Sequence, residues 1–448
     1  MTLKTTNTKD MNTKITFTLI VLLCVTLGFA QQTPAPKQSK TVAIVGATAH
    51  LGNGEIIQNS TILFADGKIT TLVNADEIKI KIGSDVDIIY ADGKHVYPGF
   101  IIPNSTLGLV EIDAVRATDD DAEIGGMIPH VRSLIAYNAE SKVVESMRPN
   151  GVLMGQITPR GGRISGTSSV VQFDAWNWED AAVKVDDGIH MNWPSSFTRG
   201  RWWLGEDPGL KLNDKYSEQV AQVTSFFNES KAYESGDKKQ THLPYQATKG
   251  LFDGSKKLFI HVDDEKGITD AVQFAKDNNV KSMVIVGGSE AYKVAGLLKQ
   301  NNVAVLLQRV HSRPSSEDDD YDQPYKAAKM LVDDGVLVAL ENSGDMERMN
   351  ARNLPFYAGT TVAHGLKKEE ALKLITSNTA KILGIDKDYG TLEVGKSATL
   401  FISEGDALDM RTNQLTHAFI DGRSISLETH QTELWHRYDE KYKSQKQP

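Results

Sequence analysis

Chemistry needs polar side chains at positions where a chain otherwise buries apolar ones, and this sequence offers few such positions. "HVYPGFIIPNSTLGLVEID", residues 95 to 113, starts as a buried strand and turns polar at Asn104-Ser105-Thr106 before going apolar again. "LFIHV" carries His261 at the end of another apolar run; a histidine there can bind a metal or take a structural hydrogen bond. "VALENSGDMERMN" follows its strand with Glu341, Asn342 and Asp345. "SSEDDDYDQPY" sets Asp318, Asp319 and Asp320 side by side, which reads as a solvated acidic loop ahead of a cation site. The glycines of "VAIVGATAHLGNGE" invite a dinucleotide-binding reading. A pyrophosphate needs a helix N-terminus, however, and Asn53-Gly54 turns straight into "EIIQNSTILF", which alternates like a strand. Gly46 and Gly52 are therefore turn residues. "NST" at 59 and 104 and "NES" at 228 match the glycosylation sequon, a short pattern with many chance matches.

These residues sit in a chain of 448, 40% hydrophobic and 24% charged, which is an ordinary globular composition with room for more than one core. Residues 1–30 differ from the rest. A basic stretch with Lys14 leads into "ITFTLIVLLCVTLGFA" and closes on Gly28-Phe29-Ala30, the pattern of a cleavable export signal. The apolar run is shorter than the ~20 residues of a spanning helix, and Leu23 before Cys24 argues against a lipoprotein. Loss of this leader removes Lys4, Lys9, Lys14 and Asp10, taking the formal charge from -9 to -11. The mature chain is expected to be exported, periplasmic or secreted, with no membrane span. An acidic chain with no basic patch does not suit nucleic acid. Cys24 is the only cysteine, so the exported chain would have neither disulfide nor thiol chemistry.

Residues 31–40 read as a polar linker. Asp66-Gly67, Asp92-Gly93 and Asp421-Gly422 each lie between runs rich in β-branched and aromatic residues, the signature of short hairpins, so both chain ends share an all-β character. Between them "KKLFIHV", "SMVIVGG", "VAVLLQRV" and "VLVALEN" alternate with amphipathic helical stretches, the pattern of parallel βα units. Residues 99–386 have room for about eight such units, a (β/α)8 TIM-type barrel, with an open doubly wound sheet as the alternative. Residues 176–250 are irregular, with long loops or an insertion.

The stretches "GATAHLGNGEIIQNSTILFADGKITTLV", "DGKHVYPGF" and "EEALKLITSNTAKILGIDKDYGTLEVGKSATLFI", with the glycine-rich "GVLMGQITPRGGRISGTSSVV", resemble the amidohydrolase superfamily, in particular its imidazolonepropionase-like branch. The resemblance spans about residues 41 to 430. It implies a β-sandwich from 41–98 and 387–428 around a barrel from 99–386, followed by a helical tail at 429–448. It also implies hydrolysis of a non-peptide carbon-nitrogen bond, often in a cyclic amide, by a metal-activated hydroxide.

In that family the first barrel strand ends in His-x-His, later strands add histidines, and the eighth adds an aspartate. A catalytic zinc needs about three protein ligands and one open position. Here the His-x-His seats hold Asn104 and Thr106, neither of which replaces an imidazole. His261 falls at the fifth-strand metal position. The sixth-strand histidine is absent from "MVIVGGSEAYKV", and Ser343 or Gly344 stands where the aspartate belongs, with Asp345 one or two places later. Arg160, Gln308, Arg309, His311, Glu341 and Asn342 are placed near the barrel mouth. Asn104, Thr106, Arg160, His311 and Glu341 are the expected ligand-pocket residues.

Two readings follow. In the first the chain is a metal-depleted pseudoenzyme that binds a small-molecule ligand or a partner, as a homo-oligomer or with an active amidohydrolase. In the second it is an active hydrolase, with zinc or another divalent metal on His261 and Asp345, or with metal-free acid-base catalysis.

Overall fold

A strand rich in β-branched residues must bury at least one face, and the two ends of this chain satisfy that need together. The computed structural model describes residues 33–207, 209–237, 240–344 and 346–445; the leader at 1–30 and Asp345 lie outside the described residues. Near the start come β1 (Thr41–His50), β2 (Ile56–Ala65), β3 (Lys68–Asn74), β4 (Val86–Tyr90) and β5 (His95–Pro98). They share one sheet with β16 (Leu400–Ser403), β17 (Leu415–Ile420) and β18 (Arg423–Ser424), in the order β18-β17-β16-β5-β1-β2-β3, with β4 also on β1. Ile44, Ile62, Phe64, Val96, Leu400, Ile402 and Phe419 form a core of its own for this sandwich.

Two of the three Asp-Gly turns close hairpins. Asp66 and Gly67 have φ of 49° and 76°, and Asp421 and Gly422 have 47° and 72°; this is the left-handed pair that a two-residue hairpin loop needs. Asp92-Gly93 differs, because Asp92 does not adopt positive φ. The strands it joins, β4 and β5, lie one after the other along the same edge of β1, both parallel to it. The expected third hairpin is a jog.

The barrel sheet consists of β6 (Phe100–Ser105), β7 (Val152–Ile157), β8 (Ile164–Gln172), β9 (Ala182–Asn192), β12 (Lys257–Val262), β13 (Met283–Gly287), β14 (Ala304–Leu307) and β15 (Val338–Leu340), neighbouring in that order. From β9 onward every pairing is parallel, and helices such as Glu265–Asp277 and Gln323–Asp333 return the chain between strands. The first half departs from the expected βα repeat. β8 runs antiparallel to both β7 and β9, so the chain doubles back directly. Hydropathy patterning records that a strand is buried but not which way it runs.

β15 and β6 are joined through the "LITSNTAKIL" run, residues 374–383. Leu340 N–H donates to Leu374 O at 3.1 Å and Ile101 N–H to Ile375 O at 3.0 Å, while Asn378 Nδ2 donates to Val338 O at 2.9 Å. These bonds satisfy backbone groups that the two strands would otherwise leave open.

The irregular stretch holds β9, a hairpin of β10 (Phe197–Arg199) and β11 (Leu210–Leu212), and the helix Tyr216–Ser235. The described part of the 31–40 segment is tied down: Ala35 N–H donates to Asp174, and Arg423 donates to Ala35 O. The chain ends in a helix, His430–Gln445. Among the described residues no helix is long and apolar enough to cross a membrane.

Candidate functional site

β6 does not end as a regular strand. Between Ile102 and Ser105 it takes three steps while β7 takes two, from Gly155 to Ile157. Pro103 cannot donate to a ladder and Asn104 adopts φ 51°, a left-handed conformation that asparagine tolerates better than most residues. The resulting bulge re-aims the polar triplet. It also frees the Asn104 N–H, which donates instead to Gln156 Oε1 at 3.1 Å.

The side chains of this bulge are held by an arginine and two glutamates. Arg160 Nη1 donates to Asn104 Oδ1 at 3.1 Å and Nη2 to Asn104 O at 3.0 Å. The same Nη2 reaches both carboxylate oxygens of Glu347, at 2.9 and 3.0 Å. Glu347 Oε1 accepts from the N–H and the hydroxyl of Thr106, at 3.0 and 2.9 Å. Asn104 Nδ2 donates to Glu341 Oε2 at 3.2 Å, and Ser343 donates its N–H and hydroxyl to Glu341 at 2.5 and 2.6 Å. Asn104, Thr106 and Glu341 are all buried. Burial raises the Glu341 carboxyl to about 7 against the Ser343 bonds that favour its charge, with Glu347 adding repulsion.

A second chain of bonds runs on from Gln156, whose amide donates to Ser168 Oγ at 3.2 Å and Asp187 Oδ2 at 2.8 Å. Ser168 Oγ donates to Asp187 Oδ1 at 2.7 Å and lies 3.0 Å from His190 Nε2; His190 Nδ1 lies 3.0 Å from His261 Nε2. Burial, the second imidazole and Arg160 lower His190 well below the usual histidine range. Burial and then Arg160 bring His261 to about 3. Both rings are neutral at physiological pH, so one proton lies between them. A Ser168 hydroxyl that donates to Asp187 accepts from His190 Nε2–H, leaving His190 Nδ1 as acceptor and the proton on His261 Nε2. Gly188 makes room for this stack: a Cβ there would lie 2.3 Å from the Phe259 ring, on which His190 stacks at 4.7 Å.

Residues 106–141 cross the mouth beside this cluster. Bridges pair Ala122 with Arg160, Met127 with Ile164 and Arg132 with Thr167. The crossing needs Gly162, where a Cβ would approach Gly125 O to 2.8 Å at φ 58°. Arg160 N–H donates to Asp121 O at 2.7 Å, and burial with Asp119 nearby raises the Asp121 carboxyl to about 6.

Asn104, Thr106, Arg160 and Glu341 thus come together, and His261 joins them through Gln156, Ser168 and His190. Asn342 is adjacent, donating to Glu347 O at 2.6 Å. His311 is elsewhere: it is exposed, bonded to Thr360 Oγ1 at 2.8 Å and set against Tyr357. Asp319 and Asp320 find local partners in Tyr292 and Lys326. Gln156, Ser168, Asp187, His190 and Glu347 were not anticipated. A polar residue within a strand buried on both faces, such as Gln156 in "VLMGQI", is the signal that could have found the first four. Glu347 lies in a short helical turn and carries no such mark.

Among the described residues, which leave out Asp345, the fit to a divalent metal is poor. Among the described residues no group of three or more His, Cys, Asp or Glu side chains is arranged to hold one. Asn104 Oδ1 already faces a guanidinium, whose charge would repel a metal at that seat. His261 Nε2 is already engaged, 3.0 Å from His190 Nδ1.

The model of the amidohydrolase family matches residues 245–425. Imidazolonepropionase of Symbiobacterium thermophilum is 24% identical over 381 residues, covering 78% of this chain and 84% of its own. The crystal structure of an amidohydrolase from Thermotoga maritima superposes with a TM-score of 0.73 at 22% identity, over 86% of this chain and 99% of its own. An adenosine deaminase from Xanthomonas campestris, solved with bound zinc, superposes at 0.54 with 12% identity, over 92% and 99%. The structures show the shared barrel fold. By sequence the chain is similar to the amidohydrolase family over residues 245–425 and to imidazolonepropionase over most of its length, in keeping with its barrel and its sheet built from both chain ends.

Proposed function

We propose that this protein is a pseudoenzyme of its superfamily, in which the Arg160 guanidinium takes the place of the metal and the barrel binds rather than hydrolyses. The observation that carries this reading is the Arg160 fork, shared between Asn104 and Glu347 at 2.9 to 3.1 Å. A cation is retained, but one that has no exchangeable position and cannot lower the pKa of a bound water. The superfamily's chemistry suggests a small cyclic amide as ligand, recognised by the mouth's polar groups, and a partner chain is the other occupant this reading allows. The leader-like residues 1–30 support export, which fractionation of the source cells would check.

The test is metal analysis of the purified protein after zinc loading and dialysis, with a hydrolysis assay on imidazolone propionate. Far less than one zinc per chain and no turnover are expected. About one zinc per chain together with turnover, both lost in His261→Ala, would overturn the proposal.

One observation favours a second reading. Glu341, buried and near neutral in pKa, stands at the end of the eighth barrel strand and could move protons without a metal. Hydrolysis without bound metal, abolished in Glu341→Gln, would establish that reading.

A further inference from the structure

The sequence contains two Asn-Gly bonds, Asn53-Gly54 and Asn150-Gly151. An asparagine side-chain amide ahead of glycine is open to attack by the next backbone nitrogen, because glycine has no Cβ to shield that nitrogen and adopts backbone angles closed to other residues. Whether the attack occurs depends on what holds the two groups. The fold treats the two bonds differently.

Asn150-Gly151 is held shut. Gly151 is buried, where a Cβ would lie 2.5 Å from the Phe401 ring, and its N–H donates to Arg148 O at 2.9 Å. Asn150 Nδ2 donates to Arg352 O at 2.8 Å, and Asn413 Nδ2 donates to Asn150 O at 3.4 Å. Asn53, by contrast, is exposed in the turn between β1 and β2, and the Gly54 N–H has no acceptor among the described residues. Asn53 Oδ1 accepts from the Glu55 N–H at 2.9 Å. That bond folds the side chain back along the backbone that follows it, past the Gly54 nitrogen, and favours negative charge developing on Oδ1.

We propose that Asn53 is a site of spontaneous covalent modification, converted through a cyclic imide with Gly54 to aspartyl and isoaspartyl residues. Hydroxide takes the Gly54 amide proton as its nitrogen bonds to Asn53 Cγ; the Cγ–Nδ2 bond breaks, and the departing nitrogen takes a proton from water and leaves as ammonia. One water then opens the ring. Addition at the side-chain carbonyl gives aspartate, and addition at the backbone carbonyl gives isoaspartate, in which the chain runs on through Cγ. No oxidant or reductant is consumed. The isoaspartyl product lengthens a closely fitted turn. Leu51 N–H donates to Glu55 O across it at 3.0 Å, Leu392 N–H donates to Leu51 O at 3.0 Å, and a Cβ on Gly52 would meet Gly390 O at 2.8 Å. An extra backbone atom there must disturb one of these contacts.

The test is peptide mapping by mass spectrometry of the purified protein, kept in mildly alkaline buffer at physiological temperature and sampled over weeks. The peptide containing Asn53 should gain the mass of an amide-to-acid change, separate into two products, and take up one oxygen from heavy-oxygen water. The Asn150 peptide should convert more than about tenfold more slowly, because two hydrogen bonds must break first. In urea the two rates should converge, which assigns the difference to the fold. Asn53→Gln should lose the conversion with an unchanged far-ultraviolet spectrum. The isoaspartyl fraction should melt below the unmodified protein, whereas Asn53→Asp, with the charge but not the longer chain, should melt with the wild type. No conversion at Asn53 in the folded protein, equal rates at Asn53 and Asn150 before unfolding, or a difference that persists in urea would overturn the proposal. Equal melting of the isoaspartyl and unmodified forms would overturn its structural consequence.

Discussion

From β12 onward the barrel alternates strand and helix and buries side chains such as Ile260, Ile285 and Leu306, whereas from β6 to β9 it doubles back through β8 and buries Gln156, Ser168, Asp187 and His190 among its apolar residues. The second half is held by burial, which is non-directional and tolerates small losses. The first half buries apolar side chains too, among them Ile101, Met154, Val170 and Ile189, and adds a run of directional bonds in which the loss of one partner strands the next.

The sharpest way to break this contrast is Arg160→Ala. It leaves half-buried Glu347 and buried Asn104 Oδ1 without their cation; breaking a fully buried pair costs about 3–5 kcal/mol, and solvent access to this one lowers the expected loss to about 2 kcal/mol, measurable by urea denaturation. Arg160→Lys should recover less than half of that, because an ammonium cannot fork between Asn104 and Glu347. A loss below about 1 kcal/mol in Arg160→Ala would remove the basis for setting the first half apart.

Glu341→Gln tests the same half through pH. A carboxyl at about 7 in the fold, against 4.5 for a solvated glutamate, holds its proton more tightly when folded. Its stabilisation is therefore complete below pH 4.5 and is lost as pH rises through 7, a change on the order of 3 kcal/mol. The glutamine variant lacks this loss, so its advantage over the wild type should grow between pH 4.5 and 8 in thermal or urea melts. His261 acts with the opposite sign. Its pKa of about 3 in the fold, against 6.5, gives stability that is present above pH 6.5 and lost as pH falls toward 3. Replacing His261 with glutamine should flatten the acid limb.

Smaller effects are expected in the regular half. Ile285→Val removes one buried methylene and should cost about 1 kcal/mol, with no change in pH dependence. Lys329→Ala breaks an exposed helical pair with Asp333 and should cost about 0.5 kcal/mol or less.

Much of this architecture was legible in contiguous residues. Asp66-Gly67 and Asp421-Gly422 declare hairpins because the left-handed pair they adopt is a local preference. The βα units after residue 257 declare themselves because helix and strand periods differ. Asp92-Gly93 misleads because its neighbours, both recruited along β1, impose the conformation. The candidate site was half legible: Asn104 and Thr106 stand out as polar residues at the end of an apolar strand, and Arg160 and Glu341 were placed near the mouth. His311 looks equally suitable by position but turns outward to Thr360.

The sequence by itself determined the sandwich-and-barrel class and the absence of imidazoles at the first strand's end. Those are properties of residue type and spacing. Only the tertiary structure decided the reversed β8, the coupling of His261 to Asp187 through Ser168 and His190, and the seating of a guanidinium against Asn104. Each depends on groups from strands tens to hundreds of residues apart meeting within about 3 Å, and such meetings are set by closure of the barrel, which no local pattern encodes.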